Sequence, residues 1–204
     1  MPLVGRSVNL RLASSNPGKL EEFRALASGT ALTLDLLPEF HALPAFPETA
    51  PTIAENAAGK AIYYSRAASG LVFADDSGLV VPQLAGAPGV HSSRYAGPEG
   101  DARKNIEKLL AALAGKMGEA RHARFVCVLA LARQGRVLAV LSGAVSGRIL
   151  EAPRGAGGFG YDPVFFYEPL EKSFAELPRE EKNRLSHRGQ AFRKLAQFLE
   201  SFSG

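Results

Sequence analysis

Residues 8–20 read VNLRLASSNPGKL, and this stretch indicates the class of fold. The apolar run at its start is typical of a β-strand, and it ends at Ser14. A helical pattern begins after the polar loop, and Pro17 suits the first turn because its missing N–H would have no partner there. A strand, a polar loop and a helix in succession predict an α/β fold.

The Gly18-Lys19 pair between this strand and this helix suggests an anion site. It is not the Walker-type phosphate loop, which needs a glycine where Ala13 stands and a serine or threonine where Leu20 stands. The first turn of a helix offers unpaired amides and partial positive charge, and Lys19 adds a full charge. Three loop side chains add further donors: Ser14, Ser15 and Asn16. An ordinary helix cap with a solvated lysine explains the same residues, and the stretch alone leaves both interpretations open.

The rest of the chain alternates between strand and helix patterns. Two long apolar runs, 124–133 and 136–150, are separated by Gln134-Gly135, which predicts an antiparallel hairpin. Residues 70–81 predict a strand, a turn at Ser77-Gly78 and a second strand. The other predicted elements are strands at 8–14 and 32–37, helices at 18–28, 52–68 and 101–115, a strand entered near residue 166, and a last helix after Ser186. Together they predict an α/β fold with a mixed central sheet flanked by helices.

The composition bounds the class of protein. At 204 residues the chain fits one domain, or one core with two lobes, and 46% hydrophobic residues allow a substantial core. The net charge of +4 favours anionic ligands without selecting among them. The single cysteine, Cys127, excludes an internal disulfide and is expected to be buried, and the four histidines lack zinc-ligand spacing. No signal peptide or membrane-spanning run is recognised, so a cytoplasmic location is expected.

The FADDSG segment, residues 73–78, places two neighbouring carboxylates after an apolar run. Buried carboxylates are costly unless a cation or hydrogen bonds compensate them. Mg²⁺ is the natural cation, because it takes carboxylate oxygens and keeps waters for phosphate. Side chains on a strand alternate, so Asp75 and Asp76 join one cluster only if the chain bends. A turn with two solvated aspartates is the alternative, and the apolar run favours the metal site.

Two glutamates are further candidate metal ligands. Glu48 lies in a proline-rich segment, residues 38–51, which predicts an exposed but structured loop. Glu55 stands three residues after Thr52, and this spacing is typical of a helix capping box. Capping is therefore the expected role of Glu55, and Glu48 is the preferred second ligand.

The GGFGYDPVFF segment, residues 157–166, combines glycines, aromatic rings and a carboxylate. Glycines allow a mobile loop, Phe159 or Tyr161 could stack on a base, and Asp162 could accept from a ring N–H. A strand entering the core with packing aromatics is the alternative, and these residues alone favour it.

The EEKNRLSHRGQ segment, residues 180–190, places three cations near a helix start: Lys182, His187 and Arg188. Cations at a helix N-terminus oppose the helix dipole, so a nearby anion or a ligand carbonyl would relieve the cost. The alternative is that these three cations lie on the surface, where the unfavourable interaction with the helix dipole is tolerated.

Six stretches, in order along nearly the whole chain, resemble the inosine triphosphate pyrophosphatase family, also called XTP/dITP diphosphatases or non-canonical purine NTP pyrophosphatases. They are LASSNPGKLEEF, ENAAGKA, FADDSGLVV, GAPGVHSSRYAG, GGFGYDPVFF and LPREEKNRLSHRGQA. Each is modest alone, whereas the ordered set is very specific. The resemblance implies one domain over residues 1–204, an elongated mixed sheet, two lobes with the active-site cleft between them, and a homodimer.

The reaction implied by the resemblance is Mg²⁺-dependent hydrolysis of ITP, dITP or XTP, which arise by purine deamination, to a monophosphate and pyrophosphate. Asp76 would bind the metal and accept a proton, Glu48 would be a second metal ligand, and Ser77 would touch the substrate. The residues implied to hold the phosphates are Ser14, Ser15, Asn16, Pro17, Gly18 and Lys19. Those implied to recognise the rest of the nucleotide are Phe159, Gly160, Tyr161, Asp162, Lys182, His187 and Arg188.

Recognition of the base and the identity of the proton acceptor are argued from chemistry rather than from the motifs. A 6-keto oxygen accepts from donors such as His187 and Arg188, whereas the adenine amino group would leave these donors unpaired. Whether Asp75 or Asp76 is the base stays open at this stage.

Two other functions fit parts of the sequence. A related enzyme could hydrolyse another modified or pyrimidine triphosphate. Only a panel of substrates distinguishes this activity from hydrolysis of ITP, dITP or XTP. A basic nucleic-acid-binding module would show a lysine- and arginine-rich stripe with interleaved aromatics, but the basic residues here are scattered among acidic ones. No nucleic-acid or membrane partner is therefore expected.

Overall fold

The computed structural model describes residues 7–202 and confirms the alternation of strands and helices. The strands are β1 (Val8–Leu12), β2 (Leu32–Leu36), β3 (Leu71–Val80), β4 (His122–Arg133), β5 (Arg136–Ile149), β6 (Phe165–Tyr167) and β7 (Lys172–Ser173). The α-helices are α1 (Pro17–Ala27), α2 (Ile53–Ser65), α3 (Ala102–Ala112), α4 (Arg179–Leu185) and α5 (His187–Ser201). Short 3₁₀ segments join several of them, including one at Gly89–Arg94.

The strands form a seven-stranded sheet in the order β2-β1-β3-β4-β5-β6-β7 within the described residues. β1 runs parallel to both neighbours, with Leu10 opposite Leu34 on one side and Leu71 on the other. β5, β6 and β7 pair antiparallel. The prediction of a mixed sheet is confirmed.

The β4–β5 connection is the predicted two-residue turn. Gln134 has φ 51° and Gly135 has φ 78°, and positive φ at both positions is the conformation that matches the twist of a hairpin. The Gly135 amide donates to Ser65 Oγ at 2.9 Å, so α2 holds the turn.

The chain divides into two compact units, each with its own apolar core. Within the described residues, unit 1 comprises residues 7–76, 127–143 and 187–202, and unit 2 comprises residues 77–126 and 144–186. The largest buried side chains of unit 1 include Leu10, Phe23, Phe73, Leu129 and Phe192. Those of unit 2 include Leu79, Leu109, Leu113, Phe165 and Phe174. The cleft expected between two lobes stays a prediction.

The predicted turn at Ser77-Gly78 is wrong. β3 continues without interruption from Leu71 to Val80, and it lies between β1 and β4 in the sheet. Neighbours on both sides stabilise an extended backbone, and this overrides the weak local tendency of serine and glycine to turn. Because the strand does not bend, Asp75 and Asp76 extend from opposite faces of the sheet.

The three cations predicted near one helix start belong to two helices. Lys182 lies in α4, whereas His187 and Arg188 begin α5 directly after Ser186. Lys182 therefore belongs to unit 2 and the other two residues belong to unit 1. The sequence analysis missed α4, because seven residues with many charges give no clear apolar period.

No helix within residues 7–202 is both long enough and apolar enough to cross a bilayer.

Candidate active site

The loop between β1 and α1 is organised by its own side chains. Asn16 caps α1, its Oδ1 accepting the Lys19 amide at 3.2 Å, and Ser14 Oγ accepts the Asn16 amide at 3.1 Å. Two of the amides expected to face an anion are thus already bonded within the loop. The Gly18 amide belongs to the first turn, which has no intrahelical acceptor. Pro17 lies at the start of α1, as predicted.

The loop that carries Glu48 is pinned to α2 on both sides of this residue. Before it, the Phe46 amide donates to Tyr64 Oη at 3.0 Å. After it, Asn56 accepts from the Ala50 amide at 3.1 Å and donates to the Ala50 carbonyl at 3.3 Å. These contacts fix the backbone around Glu48 relative to α2. Asn56 of the ENAAGKA motif makes two of them, so the motif holds this loop.

Helix α2 begins as its sequence predicts. Thr52 Oγ1 accepts the Glu55 amide at 3.1 Å and donates to Glu55 Oε2 at 2.6 Å. Glu55 is therefore a capping residue. Gly59 lets the helix approach the loop closely, since a Cβ there would lie 2.6 Å from the Phe46 ring.

Lys60 is a buried cation beside the candidate carboxylates. It lies on the buried face of α2, and its Nζ contacts Glu48 Oε1 and donates to the Asp75 carbonyl at 3.2 Å. The Lys60 side chain is 10% exposed and that of Glu48 is 28% exposed.

Asp75 contacts two cations and one thiol from three elements of unit 1. Lys19 Nζ contacts Oδ1, while Cys127 Sγ donates to Oδ2 at 3.3 Å and Arg188 Nε lies 3.7 Å from Oδ2. The Asp75 side chain is fully buried. Its negative charge balances the positive charges of Lys19 and Arg188.

Asp76, the next residue on β3, has a different environment. It is 8% exposed, and its Oδ2 has no hydrogen-bond partner among residues 7–202. Burial raises the pKa of Asp76 to about 6, although the charges of Lys60 and Lys19 act in the opposite direction. A buried carboxylate oxygen without a partner, next to two lysines, is suited to a cation ligand or a proton acceptor.

The pKa of Asp76 predicts a pH-dependent stability in the absence of metal. The folded protein binds this proton more tightly than the unfolded chain, because the pKa is raised from 3.8 to about 6. The free energy of unfolding should therefore fall as pH rises from about 4 to about 6, by about 2–3 kcal/mol. Denaturant titrations of the wild type and Asp76→Asn in EDTA measure this effect. The wild type should lose stability relative to the variant over this range, whereas a pH-independent difference would contradict the prediction.

In unit 2, Asp162 organises the glycine-rich loop. Its Oδ2 accepts Lys182 Nζ at 2.6 Å and the Phe159 amide at 2.8 Å. Lys182 Nζ also lies 4.8 Å from the centre of the Phe159 ring. Gly158 leaves room for this arrangement, since a Cβ there would collide with the Asp162 carboxylate. Phe159 as a whole residue remains 37% exposed, which leaves it available for stacking.

Tyr161 supports this loop from inside unit 2. It is 5% exposed, and its hydroxyl donates to the Ser92 carbonyl at 2.9 Å. Burial raises the pKa of Tyr161, so the phenol stays protonated as a donor. Gly160, between Phe159 and Tyr161, has φ 61°, which allows one aromatic ring outside and the next inside.

The start of α5 is neutralised by acidic residues of unit 1. Arg188 Nη1 donates to Glu22 Oε2 at 2.8 Å, and Asp75 lies on the Nε side. For Arg188, nearby anions therefore relieve the cost of a cation at a helix start. His187 is 3% exposed, and a Cβ at Gly143 would collide with its carbonyl, so β5 packs directly on this turn.

The candidate residues fit a divalent cation held by few protein ligands. Asp76 supplies an unpartnered carboxylate oxygen, and the charge of Glu48 also acts on Asp76. The described residues contain no group of three or more His, Cys, Asp or Glu side chains able to hold a metal. Mg²⁺ accepts such a site, because it is usually bound by one or two carboxylates together with waters and phosphate oxygens.

Sequence reasoning missed three residues of this network, namely Glu22, Lys60 and Cys127 as a donor. Lys60 carried a usable signal, because it falls on the helix face shared with Ala57, Ala61 and Tyr64, where a lysine is unusual. Glu22 and Cys127 carried no signal in the local sequence, since their partners lie far away along the chain.

Comparisons with known proteins identify the family of the chain. Residues 10–198 match the Ham1 family. The dITP/XTP pyrophosphatase of Geobacillus kaustophilus (strain HTA426) is 49% identical over 193 residues, covering 95% of each chain. That of Bacillus subtilis (strain 168) is 43% identical over 190 residues, covering 93% of this chain and 96% of the relative.

The fold is shared with a solved structure of the same family. The Ham1 protein of Staphylococcus aureus superposes with a TM-score of 0.84 at 38% identity, covering 95% of this chain and 98% of that one. The chain therefore belongs to the Ham1 family.

Proposed function

We propose that this protein hydrolyses the non-canonical purine triphosphates ITP, dITP and XTP to a nucleoside monophosphate and pyrophosphate, with Mg²⁺ as cofactor. The observation that carries the proposal is Asp76, a buried carboxylate on β3 with an unpartnered oxygen, on which the charges of Lys19 and Lys60 act. The names of the two relatives, both dITP/XTP pyrophosphatases, support the substrate class.

The phosphates are proposed to bind at the loop before α1. The Gly18 amide and the helix dipole attract an anion, and Ser14, Ser15 and Asn16 line the same loop. Lys19 adds a positive charge that Asp75 keeps in place. Ser77, which follows Asp76 on β3, is proposed as a further substrate contact.

The metal is proposed to bind Asp76 and Glu48. When bound, Mg²⁺ would neutralise phosphate charge and make the phosphorus easier to attack. Asp76 orients the attacking water and takes its proton. The water oxygen forms a bond to the α-phosphorus as the bond to the pyrophosphate oxygen breaks, and Lys19 offsets the charge on the leaving group. Asp75 is assigned as a positioning residue, because its oxygens are engaged by Lys19, Cys127 and Arg188.

The purine is proposed to stack on the exposed ring of Phe159. Lys182 and Asp162 hold this ring, and Tyr161 anchors the loop beneath it. Hydrogen-bond donation to the 6-keto oxygen is assigned to His187 and Arg188. Arg188 already donates to Glu22, so its second role is to keep the start of α5 in place.

The remaining predictions belong to the same proposal. They are a single domain over residues 1–204, a homodimer, a cytoplasmic location, and no nucleic-acid or membrane partner. The scattered surface charge supports the last of these.

A substrate panel tests the proposed activity. Pyrophosphate release is measured with ITP, XTP, dITP, GTP, ATP and dTTP, each in Mg²⁺ and in EDTA. The first three should be hydrolysed in Mg²⁺ at least about a hundredfold faster than ATP, because a site with buried donors discriminates strongly against a partner that cannot accept. EDTA should remove the activity.

The other outcomes of the panel are equally informative. Preference for a pyrimidine or another modified triphosphate would keep the phosphate and metal sites and reject the assigned base contacts. Absence of turnover with every nucleotide, together with binding in a gel-shift assay, would replace the enzyme by a nucleic-acid-binding module.

A further inference from the structure

Lys60 is the buried cation for which the sequence motif and the proposed reaction leave no role. Its Nζ contacts Glu48 Oε1 and donates to the Asp75 carbonyl at 3.2 Å. The positive charge of Lys60 also acts on Asp76, where it favours the ionised carboxylate that burial disfavours. One ammonium therefore acts on both carboxylates that are proposed to hold the metal.

The backbone around Glu48 is fixed beside the helix that carries Lys60. The backbone on either side of it is bonded to α2, through Phe46 with Tyr64 at 3.0 Å and through Ala50 with Asn56 at 3.1 Å. The Phe46 ring also packs against Gly59, one residue before Lys60. A divalent cation at Glu48 consequently meets the lysine at the same carboxylate.

We propose that Lys60 competes with the divalent cation for the Glu48 carboxylate, so that metal binds only as the Lys60 ammonium gives up this contact. This inference rests on the proposed metal site at Glu48 and Asp76. Like charges at one carboxylate repel each other, and the repulsion is strong because the lysine is shielded from water. The displaced ammonium keeps its bond to the Asp75 carbonyl, which leaves it beside Asp76 and able to meet an anionic substrate.

The competition for Glu48 couples the binding of the metal to the binding of the nucleotide. Without nucleotide, the metal has to displace Lys60 and gains no phosphate ligand in return, so its affinity is low. With a triphosphate, the negative charge of the substrate compensates both the metal and the released ammonium. Metal and nucleotide therefore bind cooperatively, as an expected property of the Lys60–Glu48 contact.

Binding of Mn²⁺ without nucleotide tests the inference. Dissociation constants are measured by electron paramagnetic resonance and calorimetry for the wild type and Lys60→Met, which keeps the unbranched shape and most of the length of the side chain and removes its charge. The variant should bind Mn²⁺ about fivefold to tenfold more tightly, since the ion no longer has to break the ion pair. Lys60→Arg should restore weak binding. Lys104→Met, at an exposed lysine, controls for the change in net charge.

Two further variants separate failure of this inference from failure of the metal site. Glu48→Gln and Asp76→Asn should each weaken Mn²⁺ binding. If they do so while Lys60→Met binds equally or more weakly than the wild type, the competition is refuted and the site stands. If they bind like the wild type, the proposed site is wrong and the inference falls with it. Circular dichroism verifies folding, and Lys60→Gln replaces the methionine variant if that one is unfolded.

Discussion

Asp76→Asn is expected to lower kcat for the preferred triphosphate by about a thousandfold or more, because it removes a proton acceptor and weakens a metal ligand at once. Asparagine keeps the shape of the side chain and cannot accept the proton of the attacking water. Pyrophosphate release at saturating Mg²⁺ and nucleotide measures the effect.

The loss of activity should not come from loss of the fold. Since burial raises the pKa of Asp76 to about 6, the neutral asparagine should make the metal-free protein more stable at neutral pH. Asp101→Asn is the matched control. Asp101 caps α3 through the amides of Arg103 and Lys104, and asparagine is an equally good cap, so stability and kcat should stay unchanged. A near-normal kcat for Asp76→Asn would refute the assignment.

Arg188→Ala is expected to lower the free energy of unfolding by about 3–5 kcal/mol, which is the usual cost of removing one partner from a buried ion pair. The substitution leaves Glu22 without the guanidinium that lies 2.8 Å away. It also takes one of two cations from the fully buried Asp75. Denaturant titration of the free energy of unfolding measures the loss.

Arg24→Ala provides the control for this prediction. Arg24 lies on α1 like Glu22, but its ion pair with Asp35 is 3.5 Å long and both side chains are more than half exposed. Exposed ion pairs contribute little to the free energy of unfolding, so Arg24→Ala is expected to lower it by less than about 1 kcal/mol. The double variant Glu22→Gln, Arg188→Met should recover part of the stability lost by Arg188→Met alone. Equal losses in the Arg188 and Arg24 variants would show that the buried network does not stabilise the protein.

These two predictions separate adjacent carboxylates that the sequence presents as equivalent. Asp75 and Asp76 are the same residue type, and both follow the same apolar run. On a continuous strand they extend from opposite faces, so one meets Lys19, Cys127 and Arg188 while the other keeps an oxygen without a partner. The difference in environment is the basis for giving one an anchoring role and the other a chemical role.

The sequence by itself determined most of the local structure, with the continuous β3 and the short helix α4 as the exceptions. The period of the apolar residues predicted most strands and helices, Pro17 and Thr52 marked two helix starts, and Gln134-Gly135 marked the hairpin. These features depend on neighbours within a few residues, so they can be predicted from short stretches. The same reasoning placed Asp76 and the loop before α1 among the candidate residues.

Only the tertiary structure decided which groups the buried charges meet. Glu22 and Arg188 are 166 positions apart, and the Cys127 thiol reaches Asp75 across 52 positions. Lys182 and Arg188 are close in sequence but belong to different units. Partners of this kind are set by the order of strands in the sheet and by the packing of helices on it. A buried charge must be compensated wherever the fold places it, and its partner leaves no mark on the local sequence.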